Sequence, residues 1–212
     1  MHEPGITLAM PVYRDLPRKT AVCLLQTQQA IISANIPYTI DLLGHCSVVH
    51  YARNQLARNF MTRQHSVLFF IDSDTTWKVD DFMKFVAMSR FMPVLCAQAT
   101  LKKDPPEISI SFLSDCTPND HGCISIAGCG LCFTAINRDI MAQLAERAPA
   151  RKFFGIGEVP YIFRGDEATD SGDAQGEDAA FFNDVRNNGH GVYFDPSVIL
   201  GHIGEKEYKR DA

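Results

Sequence analysis

Residues 67–71, VLFFI, place five apolar side chains in succession, and the run stops at Asp72. A strand with one wet face alternates polar and apolar residues. An unbroken apolar run this short, rich in aromatic and β-branched residues, has to be covered on both faces. The chain must therefore provide packing layers above and below one central sheet. GITLAMPV (5–12), YTIDLL (38–43) and PVLCAQ (93–98) read as further strands. Between them, 17–34, 47–64 and 78–90 carry apolar residues at helical spacing, with Pro17 opening the first and Ser47 placed to cap the second. Strands alternating with helices imply an α/β fold around a mixed, mainly parallel sheet. The second half is less regular, with strands expected near 107–113, 122–135 and 191–200 and helices near 137–147 and 177–188. A chain of 212 residues, 46% hydrophobic, suits a single domain: a nucleotide-binding-like half to about residue 100 and a mixed half beyond it.

The net charge of −5 and the lack of a Lys/Arg stripe disfavour a nucleic-acid partner, whose phosphates need clustered cations. No segment approaches the ~20 apolar residues of a membrane span. MHEPGITLAM lacks the basic-then-apolar pattern of a signal peptide, so a soluble, cytoplasmic protein is expected. Seven cysteines without framework spacing are expected as free thiols in a reducing compartment. Cys129 and Cys132 have CxxC spacing and, with Cys116 and Cys123, form one possible zinc set. Against that reading, SIAGCGLCFTAI looks extended, and residues three apart on a strand face opposite ways. The segment 164–178, RGDEATDSGDAQGED, has almost no apolar side chains and is expected to be a mobile loop, either a solvated connection or a lid over a ligand.

The apolar run ends in Asp72-Ser73-Asp74. In parallel sheets ligands gather beyond the carboxyl ends of the strands. If the chain stays extended there, the two carboxylates share a face and repel by roughly 4 kcal/mol at ~4 Å and an effective dielectric near 20. A divalent cation such as Mn²⁺ or Mg²⁺ reverses that sign. The plainer alternative is a capped turn with one Asp solvated. Two chemistries place such a pair after a buried strand. One is glycosyl transfer, in which the cation neutralises the leaving diphosphate. The other is aspartyl-phosphate chemistry of the haloacid-dehalogenase type, which DSDTT fits with Asp72 as nucleophile and GDEATD (165–170) as a second acidic motif. Two strand–helix units precede the pair, which favours the first. A nucleotide-sugar-binding domain without turnover is a third possibility.

HYARNQLARNF followed by VLFFIDSDTTW, then IAGCGLCFTAINRDIMAQL, then GEDAAFFNDVRNNGHGVYFDPSVILGHIG, resembles the GT-A fold of nucleotide-sugar glycosyltransferases over roughly residues 5–206. Within that fold it is similar to the N-terminal catalytic domains of chlorovirus glycosyltransferases. The resemblance implies a nucleoside-diphosphate-sugar donor, with a UDP-sugar favoured, a glycan or glycoprotein acceptor, and Mn²⁺ or Mg²⁺. It places Pro11, Val12, Tyr13 and Asp41 at the nucleobase and ribose and Arg53 against the nucleotide. Asp72 and Ser73 would sit near the ribose, and Asp72, Asp74 and His202 would act as metal ligands. Lys206 or Lys209 would touch the diphosphate. Asp178 or Glu177 would serve as the base that takes the acceptor's proton, Gly128 and Gly130 would allow close approach of a sugar, and Trp77 would line the cleft or sit in the core. A departure from the large inverting group is the lack of a Trp downstream of GED, where AAFF stands instead. That departure leaves the base and the stereochemistry open.

Overall fold

The computed structural model describes residues 3–153, 156–165 and 176–209. Its first half alternates as the apolar periods require. It runs β1 (Glu3–Val12), α1 (Arg18–Ser33), β2 (Tyr38–Gly44), α2 (Val49–Met61), β3 (His65–Ile71), β4 (Thr75–Thr76), α3 (Val79–Met88) and β5 (Val94–Cys96). The second half adds β6 (Ile110–Phe112), β7 (Ile124–Cys129), β8 (Phe133–Asn137), α4 (Arg138–Arg147), β9 (Ala150–Phe153), β10 (Gly157–Pro160), α5 (Glu177–Asn187), β11 (Val192–Phe194), β12 (Gly201–Ile203) and β13 (Glu207–Tyr208).

Eight strands form one sheet in the order β2-β1-β3-β8-β5-β11-β7-β6. β1 pairs in parallel with β2 and β3, and β5 with β11, while β8 and β7 run against their neighbours. The sheet is thus mixed with most strands codirectional, as expected. β3 lies inside it and alternates between two cores. Val67, Phe69 and Ile71 face a layer with Leu24 and Ile31 of α1 and Phe82 and Phe85 of α3. Leu68 and Phe70 face Leu56 and Phe60 of α2, Met141 and Leu144 of α4 and Phe181 and Val185 of α5. This double coverage is why the run has no polar residue.

Three local expectations are corrected. Helix α2 starts at Val49, with Val48 in extended backbone as its N-cap and no side-chain cap, so Ser47 lies outside the helix. The expected strand 122–135 breaks at Gly130–Cys132, where the Gly130 N–H is diverted to Gln98 Oε1, and the bond from the Asp72 N–H to the Cys132 carbonyl then continues the register of β8 on β3. β7 and β8 therefore occupy separate places in the sheet. The strand expected to reach residue 200 ends at Phe194, where Asp195 Oδ1 accepts the Ser197 N–H and hydroxyl and turns the chain.

Two smaller pieces were not anticipated. β9 and β10 pair as an antiparallel hairpin, and β4, β12 and β13 form a three-stranded ribbon. Most of the acidic segment, 166–175, lies outside the described residues, including nearly all of GDEATD. Among the described residues no helix is long and apolar enough to cross a membrane.

Candidate functional site

The site begins where β3 stops. The Thr75 N–H donates to the Asp72 carbonyl (3.1 Å), so Asp72–Thr75 is a turn rather than a continuing strand. The two carboxylates do not share a strand face, and each has its own cations.

Asp72 meets Arg53, whose side chain rises from α2 and is 3% exposed. Arg53 Nη1 donates to the Leu131 carbonyl (3.2 Å) and Nη2 to Asp72 Oδ1 (3.2 Å). Glu177 Oε1 stands 3.7 Å from Nε and Asp178 Oδ1 3.9 Å from Nη2. Burial works against the Arg53 charge, but Asp72, Asp178 and Glu177 together outweigh it and raise its pKa. Arg53, expected against the nucleotide, turns its guanidinium inward to Asp72, just past β3, and to Glu177 and Asp178 of α5. Burial lifts Asp178 against the pull of Arg53, with Glu177 and Asp72 adding to the rise, to about 6.

The contacts from Arg53 to α5 are longer than hydrogen bonds. Arg53 Nε and Asp178 Oδ1 are buried without a hydrogen-bond partner, as are Thr75 Oγ1 and Thr100 Oγ1 nearby. Among the described residues the one other such atom is Asn188 Oδ1. Buried orphans are costly and ordinarily few, and their concentration here marks a site whose polar groups are not fully used by the fold.

Asp74 is reached from the far end of the chain. β12 pairs with β4, setting His202 opposite Thr75, and the Ile203 N–H donates to the Asp74 carbonyl (2.7 Å). His202 Nε2 then lies 3.3 Å from Asp74 Oδ2, and Lys102 Nζ contacts the same oxygen at 2.5 Å. Burial alone would raise Asp74, yet the hydrogen bonds from His202 and Lys102 prevail and hold its carboxyl at about 2. The bond to Asp74 raises His202 in turn.

The His202–Asp74 pair fits a divalent cation. His202 Nδ1 is 2.7 Å from the Thr100 carbonyl, which only accepts, so Nδ1 carries a proton. In the neutral ring the Nε2 lone pair then faces a carboxylate oxygen, and such a pair needs a proton or a cation between them. Adjacent ligands of an octahedral ion with bonds of ~2.1 Å stand about 3 Å apart, close to the separation found. Among the described residues no group of three or more His, Cys, Asp or Glu side chains converges as a ready metal cage. Asp72, the third expected ligand, is held by Arg53.

Beside Asp178 lies a cavity of about 580 Å³, lined by Gln98, Ser109, Ser111, Gly130 and Asn183 among others. Gly130 donates to Gln98 Oε1 (2.9 Å), and a Cβ built there would approach that oxygen to 3.3 Å. Gly128 also lines this cavity, and a Cβ there would meet Phe182 at 3.0 Å, so the missing side chain lets α5 pack on β7.

The expected nucleotide residues divide. Pro11 and Val12 end β1, and Tyr13 stands beyond it, 56% exposed. Ser73 lies within the turn after β3. Asp41 is not free at a strand end: it accepts from Arg63 (2.9 Å) and Asn59 (3.2 Å). Lys206 pairs with Asp104 at the surface rather than with the acidic site. Lys209 is exposed. Trp77 is core, 6% exposed, its indole N–H donating to Thr27 Oγ1 (2.8 Å). Sequence reasoning missed Lys102 and Gln98.

The architecture is the α/β sandwich of GT-A glycosyltransferases. Across 98% of its length the chain is similar to A197 from STIV, covering 95% of that chain at 19% identity with a TM-score of 0.58. It is also similar to GalNAc-T7, solved with UDP, GalNAc and Mn²⁺, over 95% of its own length and 44% of that chain, at 12% identity and a TM-score of 0.56. At these identities the likeness establishes the fold alone. A glycosyltransferase involved in glycosylation of the PBCV-1 major capsid aligns at a TM-score of only 0.37, which lends no support to the closer chlorovirus resemblance. No family model and no curated protein sequence matches the chain.

Proposed function

We propose that the chain is a metal-dependent glycosyltransferase. It moves a sugar from a nucleoside-diphosphate sugar, a UDP-sugar in the first instance, to a hydroxyl of a glycan or glycoprotein. The observation that carries this reading is the meeting of two acidic centres at the end of β3. One is Asp74 with His202, a donor set suited to a divalent ion, and the other is Asp178 on the wall of a cavity of about 580 Å³. GalNAc-T7, with the same fold, was solved with UDP and Mn²⁺.

Asp74 and His202, with Asp72 alongside, would hold Mn²⁺ or Mg²⁺, which when bound stabilises negative charge on the departing diphosphate. Pro11, Val12 and Tyr13, at the carboxyl end of β1, form the edge for the nucleobase and ribose. Arg53 keeps Asp72, Glu177 and Asp178 in one cluster. Asp178, raised to about 6, accepts the proton of the acceptor hydroxyl as its oxygen attacks the anomeric carbon and the bond to the diphosphate oxygen breaks. Glu177 is the neighbouring carboxylate that strengthens this basicity.

A melting experiment with nucleotide sugars, with and without Mn²⁺, tests the reading. Ligand at 100 times its Kd adds about 2.7 kcal/mol, roughly 5–10 °C for a domain of this size. The expected result is a metal-dependent shift with UDP or a UDP-sugar that is lost in Asp74→Ala. No shift with any nucleoside diphosphate in either condition would overturn the assignment. Phosphate release without a sugar nucleotide would point to the phosphatase chemistry instead.

A further inference from the structure

Lys102 lies in the loop after β5. A bridge between Thr100 and Ile108 and a bond from the Leu101 N–H to the Glu107 carbonyl (2.7 Å) close this loop at its base. The loop is thereby fastened beside β12, where Thr100 also meets His202. The aliphatic stem of Lys102 runs along Gly204, where an added Cβ would come within 3.1 Å of its Cδ. The ammonium lands on Asp74 Oδ2, the oxygen that His202 Nε2 also faces. Its side chain remains 39% exposed, so the head has room to leave.

Two other cations expected at the nucleotide are committed elsewhere. Arg53 is buried among three carboxylates, and Lys206 is drawn to Asp104. A donor diphosphate would bring further negative charge to a site that already holds Asp72, Asp74, Glu177 and Asp178. We propose that Lys102 is a resident counter-ion of the cation site: it occupies Asp74 when no divalent ion is bound, yields that oxygen to the ion, and turns its ammonium to the diphosphate of the donor. Lys102 thus opposes metal binding to the empty site and favours nucleotide binding to the loaded one. This inference rests on the metal-dependent reading of the site.

Two binding measurements on wild type, Lys102→Met and Lys102→Gln test it, with each variant first checked for an unchanged melting temperature and circular dichroism spectrum. Free Mn²⁺ is followed by electron paramagnetic resonance without nucleotide, and UDP binding by calorimetry at saturating Mn²⁺. Both variants are expected to bind Mn²⁺ about tenfold more tightly than wild type, and UDP about tenfold more weakly. Mn²⁺ affinity equal to or below that of wild type overturns the counter-ion role. Unchanged UDP affinity overturns the transfer to the diphosphate. If wild type and variants all fail to bind Mn²⁺ even with UDP present, the metal-dependent reading falls and this inference with it.

Discussion

Asp178, the base in the proposed reaction, sits where burial sets its charge against stability. In the unfolded chain it ionises near 3.8, and in the fold burial moves it to about 6. Between those values the native state holds a proton that the unfolded state has lost, so this group's contribution to stability falls as pH rises through the window. Two units correspond to about 3 kcal/mol at most, and the side chain is 35% exposed, so about 1–2 kcal/mol is a fairer figure once solvent screening is counted. Asp178→Asn is therefore expected to melt a few degrees above wild type at pH 8 and level with it near pH 4. Sugar transfer should drop at least ~100-fold. A variant less stable than wild type at pH 8 would instead make Asp178 a structural partner of Arg53. Asp72, Asp74, Arg53, Glu177, Asp178 and His202 were all visible as candidates because their residue types and order resemble a known pattern. The inward turn of Arg53 was not visible, since a helix position shows its neighbours only once three elements have packed around it. Nor was Lys102, which in LKKDPPE has the look of any solvated loop lysine.

At the level of elements, the helices and strands of the first half follow from apolar period, and their observed ends fall within a few residues of the expected ones. The ribbon β4-β12-β13 and the hairpin β9-β10 escaped notice because each strand has four residues or fewer. Too few alternations remain for a period to register, and pairing over long separations decides them. The ribbon nonetheless makes the site, since it alone carries His202 to Asp74. The contact between α5 and β7 has a similar leverage. Gly128→Ala would push a Cβ to 3.0 Å from Phe182 Cδ2. Overpacking of this kind costs about 1–3 kcal/mol, and relief requires α5 to move with Glu177 and Asp178 on its first turn. The expected outcome is a lower melting temperature together with a reduced turnover number, measured on the same preparation. A loss of stability with unchanged turnover would show that α5 keeps its register.

For the whole molecule, a central sheet between two helical layers gives a graded resistance to opening. β3 is covered on both sides and paired with β1 and β8 along its length. Among the described residues β9 and β10 pair with each other and no further strand, around a small cluster of Phe153, Val159 and Tyr161. Hydrogen exchange should find the amides of Val67–Ile71 among the slowest and those of the hairpin among the first to exchange. Hairpin amides as protected as those of β3 would contradict this ordering. The two acids after β3 add a last point. Asp72 answers to a guanidinium rooted in α2, Asp74 to an ammonium rooted in the loop behind β5. Neighbours in sequence, they are governed from separate quarters of the fold. A substitution that releases one acid from its cation leaves the other's partner in place.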